Sequence, residues 1–111
     1  MTRLPRAGNA PPRTVETASG MLNAIGLANP GAEAEVALLV ETRALLVPLG
    51  VPLIASIFGG VVDDFARVAG IVARAEPDML ELNISCPNVG SEFGEPFAGS
   101  CESAAAVTRA V

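Results

Sequence analysis

The sequence predicts an α/β fold in which parallel strands are joined by a crossover helix, and three observations predict it. Two short apolar runs, at residues 51–58 and 79–85, are each followed by a stretch in which a helix is expected. Pro48, Gly50, Gly59, Gly60 and Pro77 fall at the boundaries of these runs. The connection between the two runs is too long for a hairpin and long enough for a helix, which makes the strands parallel.

Residues 1–30 come first and read as loop, because Gly8, Asn9, Pro11, Pro12, Gly20, Gly26, Asn29 and Pro30 interrupt them every few positions. Little regular structure is expected there. From 32 to about 47, Val36, Leu39, Val40 and Leu46 recur at helical spacing, and Glu33 and Glu35 stand in the first turn where they complement the helix dipole. Pro48 and Gly50 end that helix. Val51-Pro52-Leu53-Ile54-Ala55-Ser56-Ile57-Phe58 is almost wholly apolar and predicts a strand buried on both faces.

From 62 to 75 a second helix is expected, with Val62, Phe65, Val68, Ala69 and Val72 on its packed face and Asp63, Asp64, Arg67 and Arg74 in solvent. Pro77 bars its continuation. Met79-Leu80-Glu81-Leu82-Asn83-Ile84-Ser85 is the second strand, a loop follows to Gly99, and a last helix starts near Ser100. Two parallel strands do not make a finished domain, because each needs neighbours for its backbone groups. A complete (β/α)8 barrel takes roughly 250 residues, so residues 1–111 read as one partial domain, a fragment of a (β/α)8 TIM barrel.

Composition narrows the function. Seven Arg, no Lys and no His stand against 12 Asp and Glu, for a net charge of -5, which disfavours a nucleic-acid partner. No apolar run reaches the roughly 18 residues of a membrane span, and residues 1–13 lack the apolar core of a secretory signal. A cytoplasmic protein is expected. Cys86 and Cys101 are read as reduced thiols, with Cys101 structural, and neither has a second Cys or a His at metal-ligand spacing.

The informative segment is Glu81-Leu82-Asn83-Ile84-Ser85-Cys86-Pro87-Asn88, where an apolar strand ends in polar side chains. In parallel α/β folds that end faces the ligand crevice. Asn83 and Asn88 can each offer an amide donor and acceptor, with Cys86 between them as an acid or base. On residue type alone a small buried cysteine and two turn-holding asparagines explain the segment as well. The second candidate is Met21-Leu22-Asn23-Ala24-Ile25-Gly26-Leu27-Ala28-Asn29-Pro30, where Gly26 permits close backbone approach to a ligand. A hydrophobic loop with a local turn at Asn23 is the competing reading.

Taken together, Asn23-Ala24-Ile25-Gly26-Leu27 followed by Asn83-Ile84-Ser85-Cys86-Pro87-Asn88 resembles the dihydroorotate dehydrogenase family, most closely its NAD-linked cytosolic class. Gly8-Asn9-Ala10-Pro11-Pro12-Arg13 and Glu16-Thr17-Ala18-Ser19-Gly20 are similar to that class too. The resemblance implies an FMN enzyme of pyrimidine synthesis that oxidises dihydroorotate to orotate, with Cys86 as general base. An ordinary thiol with a pKa of about 8.5 is only a few per cent thiolate at neutral pH, so such a site must lower that pKa or gate the reaction. The resemblance further implies that Asn23, Asn83 and Asn88 bind substrate, that residues Ala24, Ile25, Gly26 and Leu27 contact it through their backbone, and that Asn83 also touches FMN. An iron-sulfur FAD subunit is the implied electron-transfer partner, and homo-oligomerisation is left open.

Two departures stand out. Ser56 occupies a strand position where the family usually has Asn, and the chain has none of the lysines that touch flavin and substrate. A dihydropyrimidine dehydrogenase-like barrel, or a truncated non-catalytic chain unable to bind flavin, are the alternative readings.

Overall fold

The structure, a computed structural model, describes residues 1–86 and 94–111. Its elements are β1 (Thr14–Thr17), β2 (Gly20–Asn23), α1 (Ala32–Leu46), β3 (Ile54–Ile57), α2 (Val62–Val72), β4 (Met79–Leu82) and α3 (Cys101–Ala110), with short 3-10 turns after α1 and α2 and before α3. Strands β3 and β4 are parallel, paired from Ile54 with Met79 to Ile57 with Leu82, and α2 is the crossover between them. This is the βαβ unit expected from the sequence. No helix among the described residues is long and apolar enough to cross a membrane.

The core forms where the faces expected to be apolar meet. Phe65, Val68, Ala69 and Val72 of α2 pack against Ala55 and Ile57 of β3, with Leu39 of α1 and Val107 of α3 closing the sides. Gly59 permits this arrangement, because a Cβ there would come within 2.7 Å of the Phe65 backbone nitrogen. Phe65 is fully buried and contacts Phe58 (centroids 6.0 Å apart) and Phe97 (5.6 Å, edge-on at 89°), geometries that aromatic pairs favour. Helix α3 starts where expected and is capped by Ser100, its Oγ accepting from the Ser103 N–H at 3.0 Å.

Three expectations are corrected. Residues 1–30 are not all loop: β1 and β2 form an antiparallel hairpin, Thr14 opposite Asn23 through Thr17 opposite Gly20. All eight hairpin residues are exposed, so no apolar alternation announces it, only the strand preference of Thr and Val around a short turn. Strand β3 is buried on one face only, and Ile54 is 52% and Met79 53% exposed on the other. Cys101 is exposed, at the first position of α3, so it is not a core residue.

Residue Met1 extends the sheet on the far side of β3. Its ammonium donates to the Ser56 carbonyl at 2.6 Å, and its carbonyl accepts from the Phe58 N–H at 2.8 Å, the bonding pattern of a parallel neighbour. Residues 2–9 therefore run off the C-terminal end of β3. They are held there by the Thr2 carbonyl, which accepts from Ala32 N–H at 2.8 Å, and by an ion pair between Arg3 and Asp64 at 2.8 Å.

Candidate functional site

Both sequence motifs gather at the C-terminal end of the parallel sheet. The Asn83 N–H donates to the Ile57 carbonyl at 2.9 Å, one step beyond the last strand pair, so Asn83 is held half-buried where β4 stops. Since Ser56 lies opposite Glu81, alternation puts Ser56, Glu81 and then Asn83 on the open face of the sheet. Cys86 is half-buried and lines a shallow recess with Phe58, Ile84, Pro96 and Phe97. Two residues before Cys86, the Ile84 carbonyl accepts from Ala98 N–H at 3.0 Å, and Phe97 packs on Phe65. Asn88 lies outside the described residues.

The second motif hangs above the same end. Residues Arg6 and Asn29 exchange two backbone hydrogen bonds, at 2.8 and 3.0 Å, which ties the segment after β2 to the one leaving β3. Every carbonyl from 24 to 27 accepts from this chain: Ala24 from Asn9 Nδ2 (3.0 Å), Ile25 from Asn9 N–H (3.0 Å), Gly26 from Arg6 Nε (3.5 Å) and Leu27 from Asn29 Nδ2 (2.6 Å). Among the described residues, the amides of Ile25, Gly26, Leu27 and Ala28 have no protein acceptor. Gly26 and Leu27 both have positive φ, 75° and 59°. Consecutive backbone N–H groups in such turns form concave anion sites, so the loop is suited to offer N–H donors. Asn23, the last residue of β2, is exposed.

Sequence reasoning singled out this loop but gave no role to the residues that shape it. Asn9 and Asn29 are small polar residues among prolines and glycines, with nothing in their spacing to separate them from other turn residues. Glu81 was also missed, a carboxylate on the sheet's open face. A cleft of about 290 Å³ lies beside these motifs, lined by residues 2–6, Phe58, Gly59, Gly60 and Asp64, and none of the site residues expected from the sequence lines it.

The residues present fit one part of a flavin and not another. Asn83 on the open sheet face offers the donor and acceptor that a flavin ring edge needs. The phosphate fits none of the described helix N-termini, since α1 carries Glu33 and Glu35, α2 carries Asp63 and Asp64, and α3 carries Glu102 in the first turn. Carboxylates there oppose the helix-end attraction that an anion requires.

With this geometry in hand, comparison with known proteins gives a consistent result. The family model described as "Dihydroorotate dehydrogenase" matches residues 1–111. The chain is 47% identical over 111 residues to the "Dihydroorotate dehydrogenase B (NAD(+)), catalytic subunit" of Latilactobacillus sakei subsp. sakei (strain 23K), an alignment covering 98% of this chain and 35% of that protein. It is 46% identical over 113 residues to the protein of the same name from Desulforudis audaxviator (strain MP104C), covering 100% of this chain and 35% of that one. Against the protein of that name from Anoxybacillus flavithermus (strain DSM 21510 / WK1) the identity is 47% over 108 residues, with 96% and 33% covered. The chain spans about a third of the length of the curated relatives it matches.

Proposed function

The chain belongs to the dihydroorotate dehydrogenase family, and from that membership we propose that it carries the substrate-facing part of an enzyme that oxidises dihydroorotate to orotate in pyrimidine synthesis. The observation that carries this reading is the loop at residues 24–27. With all four of its carbonyls engaged and, among the described residues, the following amides without an acceptor, the loop suits a ligand that brings acceptors and negative charge. The carboxylate of dihydroorotate is such a group. The exposed Asn23 and half-buried Asn83, with Asn88, then serve the amide edges of the pyrimidine ring, which need donors and acceptors together.

Cys86 is the proposed general base. The carbon of dihydroorotate that bears the carboxylate loses hydride, its neighbour loses a proton, and the new C=C bond takes up the electron pair of the broken C–H bond. The thiolate sulfur of Cys86 accepts the proton and becomes a thiol. Placing Cys86 in a recess bounded by Phe58 and Phe97 shields that sulfur from bulk water on one side. FMN, when bound, supplies the hydride acceptor, and Asn83 is the residue of this chain proposed to touch its ring. The half-formed site, the open sheet face and the parallel neighbour position at Met1 support a (β/α)8 barrel as the setting. The relatives are named catalytic subunits, which supports a separate iron-sulfur FAD subunit passing electrons to NAD in the cytoplasm.

The test is a chimera in which this chain replaces the matching third of the Latilactobacillus sakei catalytic subunit, numbered as here. Dihydroorotate added without oxygen should bleach its flavin. Cys86→Ser should slow bleaching by roughly 100-fold or more while flavin stays bound, the range expected on losing a general base. Bleaching at the parent rate in Cys86→Ser rules out the assignment.

A further inference from the structure

We propose that Asn9 and Asn29 are positioning residues for the substrate carboxylate, a reading that rests on the loop's proposed role above. In a planar trans peptide the C=O and the following N–H point in opposite directions, so a carbonyl held on one side aims the next amide to the other. Asn9 Nδ2 on the Ala24 carbonyl, at 3.0 Å, therefore aims the Ile25 amide, and Asn9 N–H on the Ile25 carbonyl aims the Gly26 amide. At the far end Asn29 Nδ2 holds the Leu27 carbonyl at 2.6 Å and aims the Ala28 amide. The contact between them, Arg6 Nε to the Gly26 carbonyl, is the longest at 3.5 Å. The two asparagines thus bracket the donor strip.

Asn29 is itself fixed. Its Oδ1 accepts from Gly31 N–H at 3.0 Å and Thr2 N–H at 3.1 Å, and its backbone is paired with Arg6. Asn9 is exposed, and its hold on the strip does not depend on core packing. A loop held this way meets the carboxylate with its amides already oriented, so ordering them costs little when substrate binds. Neither asparagine is needed to touch the ligand.

The experiment uses the chimera described above with Asn9→Ala and Asn29→Ala made separately. Dissociation constants for orotate and for uracil, which shares the ring and lacks the carboxylate, are read from the change in flavin absorbance, alongside kcat and KM for dihydroorotate. Each variant should raise the orotate Kd and the dihydroorotate KM about five- to tenfold, the scale of one lost hydrogen bond. Uracil affinity, kcat and the flavin spectrum should stay within about twofold of the parent. Equal loosening of both ligands would show a merely structural role and overturn the proposal, as would unchanged orotate affinity. Asn9→Ala decides the matter if Asn29→Ala does not fold. Failure of the underlying reading looks different: the unmutated chimera would then hold orotate no more tightly than uracil.

Discussion

At the scale of single residues, Gly26 and Met1 show how much depends on backbone geometry and burial that a sequence does not print. Gly26 sits at φ 75°, and a Cβ there would fall 2.7 Å from the Asn9 side chain and backbone nitrogen. Gly26→Ala should therefore cost about 1–3 kcal/mol of stability and weaken orotate binding in the chimera at least tenfold. Thermal unfolding and a flavin titration check both, and binding as tight as the parent's would detach Gly26 from the site. Burial lowers the pKa of the Met1 ammonium from 8.0, outweighing the opposite pull of Glu35 and Glu81. The folded chain then binds fewer protons than the unfolded chain just below pH 8, so stability is lost as pH falls through the folded-state pKa and fully regained above 8.0. The melting temperature should rise toward pH 8 in the 111-residue chain. Acetylating the amino group, which keeps one N–H for Ser56 and abolishes the charge, should remove that rise.

At the scale of elements, the sequence pattern worked wherever a face was buried and failed wherever none was. Helix α2 is legible because Phe65, Val68, Ala69 and Val72 share one packed face. Helix α1 has its expected limits but buries only Ala32 and Leu39, and Val40, expected inside, is 49% exposed. The hairpin β1–β2 has no buried residue at all, so period-2 reasoning has nothing to detect. The end of α2 offers a stability test. Glu76 adopts φ 50° where the following 3-10 turn closes, with its carbonyl accepting from Arg43 Nε at 2.7 Å. Glycine takes that conformation without the Cβ penalty and keeps the carbonyl. Glu76→Gly should raise stability by about 0.5–1 kcal/mol, seen as a higher melting temperature, and a lower one would mean that the Glu76 side chain contributes more than its backbone strain costs.

At the scale of the whole molecule, the loop at residues 24–27 and Cys86 both follow strands of the described fold, and the parallel pair β3-β4 is packed on one face and open on the other. Among the described residues, the first turns of α1, α2 and α3 all carry carboxylates, which oppose an anion such as a flavin phosphate at those helix ends. The 111-residue chain should accordingly emerge from gel filtration without FMN, whereas the chimera should retain it. Flavin co-eluting with the isolated chain would show that the described residues suffice. By itself the sequence determined the βαβ order, the packed face of α2, the start of α3 near Ser100 and the two motifs, because each depends on local residue type or on a period that burial imposes. Only the tertiary structure decided that residues 2–9 leave the sheet beside β3, that β3 is covered on one face, and that Asn9, Arg6 and Asn29 hold the carbonyls of residues 24 to 27. Most of these contacts are hydrogen bonds between segments 15 to 55 residues apart, and side-chain periodicity along a chain records which way residues face, never which distant backbone groups they meet.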